Sequence, residues 1–158
     1  MILVSSCLLG NNVKYNGGNN SNELLLKYSK YLTPVCPECL GKLLIPRPPA
    51  ELIGGDGKAV WLGTAQVCDQ HGQEVTKAFQ AGAREVLKLV QENKIKVAIL
   101  KANSPSCGNK KIYDGNFSGT KILGQGVTVA LLEKYGVKVY SEQELDDNLL
   151  QRLIAMYK

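Results

Sequence analysis

Five cysteines, at positions 7, 36, 39, 68 and 107, stand against a single histidine, His71. A Cys/His dyad or a mixed zinc site would have to use that one imidazole, so a metal here should be held mainly by sulfur. Cys36-Pro37-Glu38-Cys39 is a C-x-x-C, but a zinc ribbon needs a second close pair and the other cysteines are far apart in the chain. A thioredoxin-like dithiol starts a helix after a strand, and Gly41 and Pro46 interrupt any long helix here. Cys68 reads as a small buried hydrophobe, the common fate of a lone cysteine. Cys7, Cys36 and Cys107 each lie in a turn-rich segment beside Ser, Pro or Gly at or near the end of an apolar run. Three thiolates brought together from such distant loops leave one position open on a cubane iron–sulfur cluster.

The elements that would position these thiols are legible around them. Lys96–Leu100 is apolar without alternation and too short for a helix, as expected of a strand buried on both faces of a parallel sheet. It runs into Lys101-Ala102-Asn103-Ser104-Pro105-Ser106-Cys107-Gly108. Met1–Ser5 repeats the arrangement and ends at Ser6-Cys7. Ligands of open α/β sheets gather at the carboxyl ends of the strands, so both cysteines should reach one edge. Periodicity predicts a short helix over Glu23–Leu32, a long one over Glu74–Asn93 and a third over Val127–Tyr135, the last stopped by Gly136 as C′ residue. Ala59–Leu62 and Val137–Tyr140 read as strands. Ser141 with Glu144 is a capping-box pattern ahead of a final helix to about Tyr157. Gly10–Ser21 and Asn103–Gly126 read as glycine-rich loops. Thr33–Gly57 holds five of the six prolines, Cys36, Glu38, Cys39, Arg47 and Glu51, and a connection of that length in a compact domain is usually functional.

Length and composition set the class. A chain of 158 residues with 44% hydrophobic and 21% charged residues is expected to form one α/β domain over 1–158 and to bury about two thirds of its unfolded surface. Nothing in it reads as a membrane span, and Ile2–Val4 is too short and lacks the flanks of a signal peptide, so the reading is cytoplasmic. The net charge of +5 is spread along the chain and does not indicate nucleic-acid binding. An odd number of cysteines in a reducing compartment points to metal binding or reactivity over disulfides.

Val4-Ser5-Ser6-Cys7-Leu8-Leu9-Gly10, Pro34-Val35-Cys36-Pro37-Glu38, Pro46-Arg47-Pro48-Pro49-Ala50-Glu51 with Gly54-Gly55, Ser104-Pro105-Ser106-Cys107-Gly108, and Tyr113-Asp114-Gly115 with Phe117-Ser118-Gly119 together resemble the TudS-type thiouracil desulfurase family. The resemblance spans most of the chain. It implies a mostly parallel, Rossmann-like three-layer α/β fold and a [4Fe-4S] cluster held by Cys7, Cys36 and Cys107, the fourth iron staying free for substrate. The implied reaction is redox-neutral desulfuration of a thiolated pyrimidine with release of sulfide. In that reading Glu38 positions or deprotonates the attacking water and Ser104 steadies or relays a proton, while Asn16 and Lys101 contact substrate. Asn16 stands where the family usually shows Asp, and it can hydrogen-bond a base edge but cannot be a carboxylate base. Cys39 stands where the family gives no reason to expect a thiol. The alternative from another class is a non-catalytic zinc-binding or redox-sensing module built on Cys36 and Cys39.

Overall fold

The computed structural model describes residues 1–157. Its centre is a four-stranded sheet of β1 (Ile2–Ser5), β2 (Leu32–Val35), β5 (Val97–Leu100) and β8 (Lys138–Ser141), all parallel and ordered β2-β1-β5-β8. Alternate residues of each strand feed two different cores, which is why the runs look continuously apolar in sequence. Leu3, Ala98, Leu100 and Val139 pack under α4 (Thr76–Glu92) and α5 (Val127–Lys134) through Val86, Val90, Val129 and Leu132. Ile2, Val4, Leu32, Val97 and Ile99 face Leu25 of α1 (Glu23–Lys27) and Leu150, Leu153 and Ile154 of α6 (Asp147–Tyr157). The result is helices, sheet, helices. A third core lies beyond α4, where Phe79 and Ala83 meet α3 (Gly57–Leu62) and the antiparallel pair β3 (Ala50–Ile53) and β4 (Gln66–Asp69). Among the described residues no helix is long and apolar enough to cross a membrane.

Several local expectations are corrected. Ala59–Leu62 is helical, not a strand: Asp56 caps α3 by accepting from the Ala59 amide at 3.2 Å, and Gly63 closes it at φ +82°. Those two residues were the available signal, and the apolar run between them concealed it. The helix expected over Glu23–Leu32 stops at Lys27; a 3₁₀ turn, Ser29–Tyr31, follows, and Leu32 belongs to β2. Pro34 conceals that strand in the sequence, because proline has no amide hydrogen to give a ladder. It is an edge strand and Pro34 is exposed there, so the missing amide hydrogen costs little. The Ser141/Glu144 capping box forms, but it closes a single 3₁₀ turn, Glu142–Glu144, and α6 starts later. The strand expected over Val137–Tyr140 is found one residue further on, and Gly136, at φ +84°, follows α5 as expected.

Strand register decides where the cysteines go. Ser5 is opposite Val35, and Leu100 is opposite Ser141, so the carboxyl ends of all four strands are level. Cys7 lies two residues past its strand and Cys36 one residue past its own, which leaves them little freedom to be elsewhere than on this edge. The chain leaves β1 toward β2 on one side and returns to place β5 on the other, so the switch point of the sheet falls between β1 and β5. Cys7 and Cys107 follow those two strands.

Candidate active site

One cavity of about 550 Å³ opens at this edge, within the range of small-molecule sites. Cys7, Cys36 and Cys107 all line it, with Glu38, Ser104, Lys101, Arg47, Asn20, Glu51 and an apolar wall of Phe79 on α4 and Val75 just before it. Cys39 and Asn16 are not in its lining.

Each thiol is placed by a different local device. Cys7 sits in a 3₁₀ turn, Ser6–Leu9, closed by Gly10 in the left-handed region, and the Asn20 amide donates to its sulfur at 3.5 Å. Cys36 is the N-cap of a single-turn helix, α2 (Pro37–Leu40), with Pro37 preset at the first position. This turn lies hard against α4 at two glycines: a Cβ on Gly82 would stand 1.9 Å from the Pro37 carbonyl oxygen, and one on Gly41 would stand 2.1 Å from that of Ala78. Cys107 lies in a turn that Ser104 organises, its Oγ accepting from the amides of Ser106 and Cys107 at 3.2 and 3.1 Å. The same turn caps α5: the Val127 and Thr128 amides donate to the carbonyls of Pro105 and Ser106, both at 2.9 Å, and the Ser106 and Thr128 hydroxyls pair at 2.6 Å in the core. Otherwise orphaned helix amides are thereby satisfied by the cysteine loop, which fixes both.

Burial pushes all three thiols up. It raises Cys7 against the opposing Asn20 bond and Lys101 charge, and it pushes Cys36 up to about 12 against the Cys39 backbone amide. Cys107 is raised by burial and then by the charge of Glu38, with the Ser5 hydroxyl opposing. Thiols in this state are protonated until a cation takes them, and binding one would release their protons.

Glu38 is raised by burial, and the Arg47 guanidinium opposes this with a 2.9 Å contact to Oε2. Arg47 also donates to the carbonyls of Val13 and Leu44, at 3.0 and 3.2 Å, tying the loop after Cys7 to the proline-rich segment and to Glu38. Bracing by carbonyl bonds is legible in the proline-rich sequence; the pairing with Glu38 and the Asn20 contact are not, because they join segments that only the fold brings together. Lys101 reaches the cavity, but its ammonium is held by Glu142 at 3.1 Å and the Ala102 carbonyl at 3.0 Å. Asn16 is exposed and outside the cavity lining, and its side-chain oxygen accepts from the Gly18 amide in its own turn at 2.9 Å.

The C-x-x-C also differs from expectation, since it does follow a strand and open a helix, although of one turn only. Cys36, the thiol at the helix start, is pushed up by burial and lacks the lowered pKa of a reactive first thiol. Among the described residues no three His, Cys, Asp or Glu side chains are grouped as they must be at about 2.3 Å from one zinc ion. Cys68 is buried on β4, away from the cavity lining.

The chain is 48% identical over 151 residues to the uncharacterized protein YbbK of Bacillus subtilis (strain 168), covering 94% of this chain and all of that one. It is similar to the solved structure of the [4Fe-4S]-dependent thiouracil desulfidase TudS (DUF523Vcz), with 37% identity, a TM-score of 0.83 and coverage of 98% of this chain and 97% of that one. The family model of the 2-thiouracil desulfurases matches residues 2–144, nearly the whole chain, and the protein therefore belongs to the 2-thiouracil desulfurase family.

Proposed function

We propose that this protein removes sulfur from a thiolated pyrimidine by redox-neutral hydrolysis, C=S plus water giving C=O plus hydrogen sulfide, and that a [4Fe-4S] cluster held by Cys7, Cys36 and Cys107 is its cofactor. The observation that carries the reading is the arrival of these three thiols in one cavity with a carboxylate. The donor set fits the group: three soft sulfur ligands line one cavity and, among the described residues, no fourth cysteine joins them there. When bound, the cluster supplies a soft Lewis-acid position that suits a thiocarbonyl sulfur better than a carbonyl oxygen.

The chain's own residues account for the rest. Arg47 fixes Glu38 through Oε2, so Oε1 is the oxygen that orients the water and takes its proton as the oxygen adds to the ring carbon. Burial keeps that carboxylate poorly solvated and more basic, which favours proton transfer near neutral pH. The tetrahedral carbon then expels sulfur, and the proton on Glu38 passes to the sulfide or to solvent. Ser104 accepts two backbone bonds at Oγ, which leaves its hydroxyl proton free to donate toward substrate.

Glu38→Gln separates binding from chemistry. With protein loaded without oxygen, iron content and the spectral change on adding 2-thiouracil should persist, while sulfide release falls by about 10² to 10⁴, the usual worth of a general base. Undiminished sulfide release would remove Glu38 from the role.

A further inference from the structure

The cavity has a wall that the mechanism above does not use. Between β6 (Lys111–Tyr113) and β7 (Lys121–Leu123) the chain makes a tight loop, and Phe117 from its tip, together with Tyr113, lines the cavity that holds the three thiols. Phe117 is held at φ +54°, a left-handed conformation that a bulky residue adopts only when its surroundings force it. What forces it is Glu51. This carboxylate on β3 is only 8% exposed, and its Oε1 accepts from both the Gly115 amide at 2.9 Å and the Phe117 amide at 3.2 Å. Gly115 allows the close approach, since a Cβ there would lie 2.7 Å from the Leu52 carbonyl oxygen. A buried carboxyl group thus fixes the backbone of a loop whose aromatic side chain is left 36% exposed at the cavity. If the loop served only to cover the core, its ring would be expected in the core.

Resting on the desulfuration reading for the identity of the ligand, we propose that Phe117 is the face on which the substrate's pyrimidine ring stacks, and that Glu51 is the positioning residue that holds it there. A planar heterocycle offers a π-face whatever its substituents, and an aromatic side chain fixed by its backbone stacks on it at little entropic cost. The sulfur-binding end of the cavity would select the thiocarbonyl, and Phe117 would set the plane of the ring.

The test uses the cluster-loaded protein and two probes, 2-thiouracil for turnover and uracil for binding by calorimetry without turnover. Phe117→Ala is expected to raise KM for 2-thiouracil and Kd for uracil together by about 5- to 150-fold, the range given by loss of one base–aromatic stack. The effect should fall on KM more than on kcat, and Phe117→Tyr should restore both constants. Glu51→Ala should reproduce the Phe117→Ala pattern, with Glu51→Gln, which keeps the acceptor oxygen, closer to the original protein. Because Phe117 is a partly exposed loop residue, its truncation opens no core. Unchanged KM and Kd in Phe117→Ala, or a loss confined to kcat, would overturn the proposal. Phe117-dependent uracil binding by a protein that releases no sulfide from 2-thiouracil would support the stacking face and overturn the desulfuration reading instead.

Discussion

Gly82→Ala sets two effects of opposite sign against each other. Gly82 lies inside α4, where replacing Gly by Ala in an otherwise free helix stabilises by about 1 kcal/mol. Here the new Cβ would stand 1.9 Å from the Pro37 carbonyl oxygen and 3.1 Å from the Gly41 amide nitrogen. To reach an ordinary C···O contact of about 3.3 Å, α2 must retreat by roughly 1.4 Å. Forcing a methyl into packed structure costs typically about 1–3 kcal/mol, which exceeds the propensity gain, so the net result should be destabilisation of up to about 2 kcal/mol. The retreating turn carries Cys36 and Glu38 on either side of Pro37. A misplacement of about 1 Å at a reacting group costs on the order of 10²-fold in rate. The urea midpoint, the iron-to-protein ratio after anaerobic reconstitution and the rate of sulfide release should therefore all fall, the last most. Gly41→Ala, which meets the Ala78 carbonyl at 2.1 Å, should behave alike, and the double variant should lose less than the sum because one retreat relieves both contacts. A Gly82→Ala protein with a higher urea midpoint, full iron and full rate would refute the reasoning, showing that helix propensity wins and that α2 carries no positional demand.

Ser at Cys7 or Cys107 should abolish iron loading while Ser at Cys68 or Cys39 leaves it intact, measured as iron per chain; loss of iron in Cys39→Ser would indicate a closed, four-thiolate site. Glu144, held by Lys110, the Ser141 amide and Asn109 although desolvation opposes them, has its carboxyl lowered from the usual range. Its ionised form is therefore favoured by folding, so the stability lost in Glu144→Gln should be fully present at pH 7 and vanish as the pH falls below about 4.3, the ordinary Glu value, and through the lowered one; urea midpoints of the two proteins at pH 7 and 3 would check this.

The parts of this protein written locally were legible without coordinates. Met1–Ser5 and Lys96–Leu100 announce buried parallel strands because both faces are covered, and the period of α4 announces an amphipathic helix, each signal lying within one element. Gly136 and the Ser141/Glu144 box are equally local. Cys7, Cys36 and Cys107 are set apart in sequence by their turn-rich surroundings at the ends of apolar runs, and the resemblance of motifs joins them as one ligand set, since their spacing along the chain carries no mutual signal. Their common edge follows from strand register, in which Ser5 stands opposite Val35 and β5 lies beside β1. β2 and α3 run against their local composition because an edge position excuses Pro34, and because Asp56 and Gly63 outweigh the β-like run Ala59–Leu62 once a helix has a neighbour to pack on. Only the tertiary structure could join Arg47 to Glu38, Asn20 to Cys7 and Glu51 to the Phe117 loop, or withdraw Asn16 from the cavity. These are contacts between side chains whose separation in sequence is set by loops, and loop residues encode a turn but not what the turn will touch. The close approach of Gly82 to Pro37 belongs to the same class: each glycine is readable as a missing side chain, but the backbone that fills its place is supplied by another element.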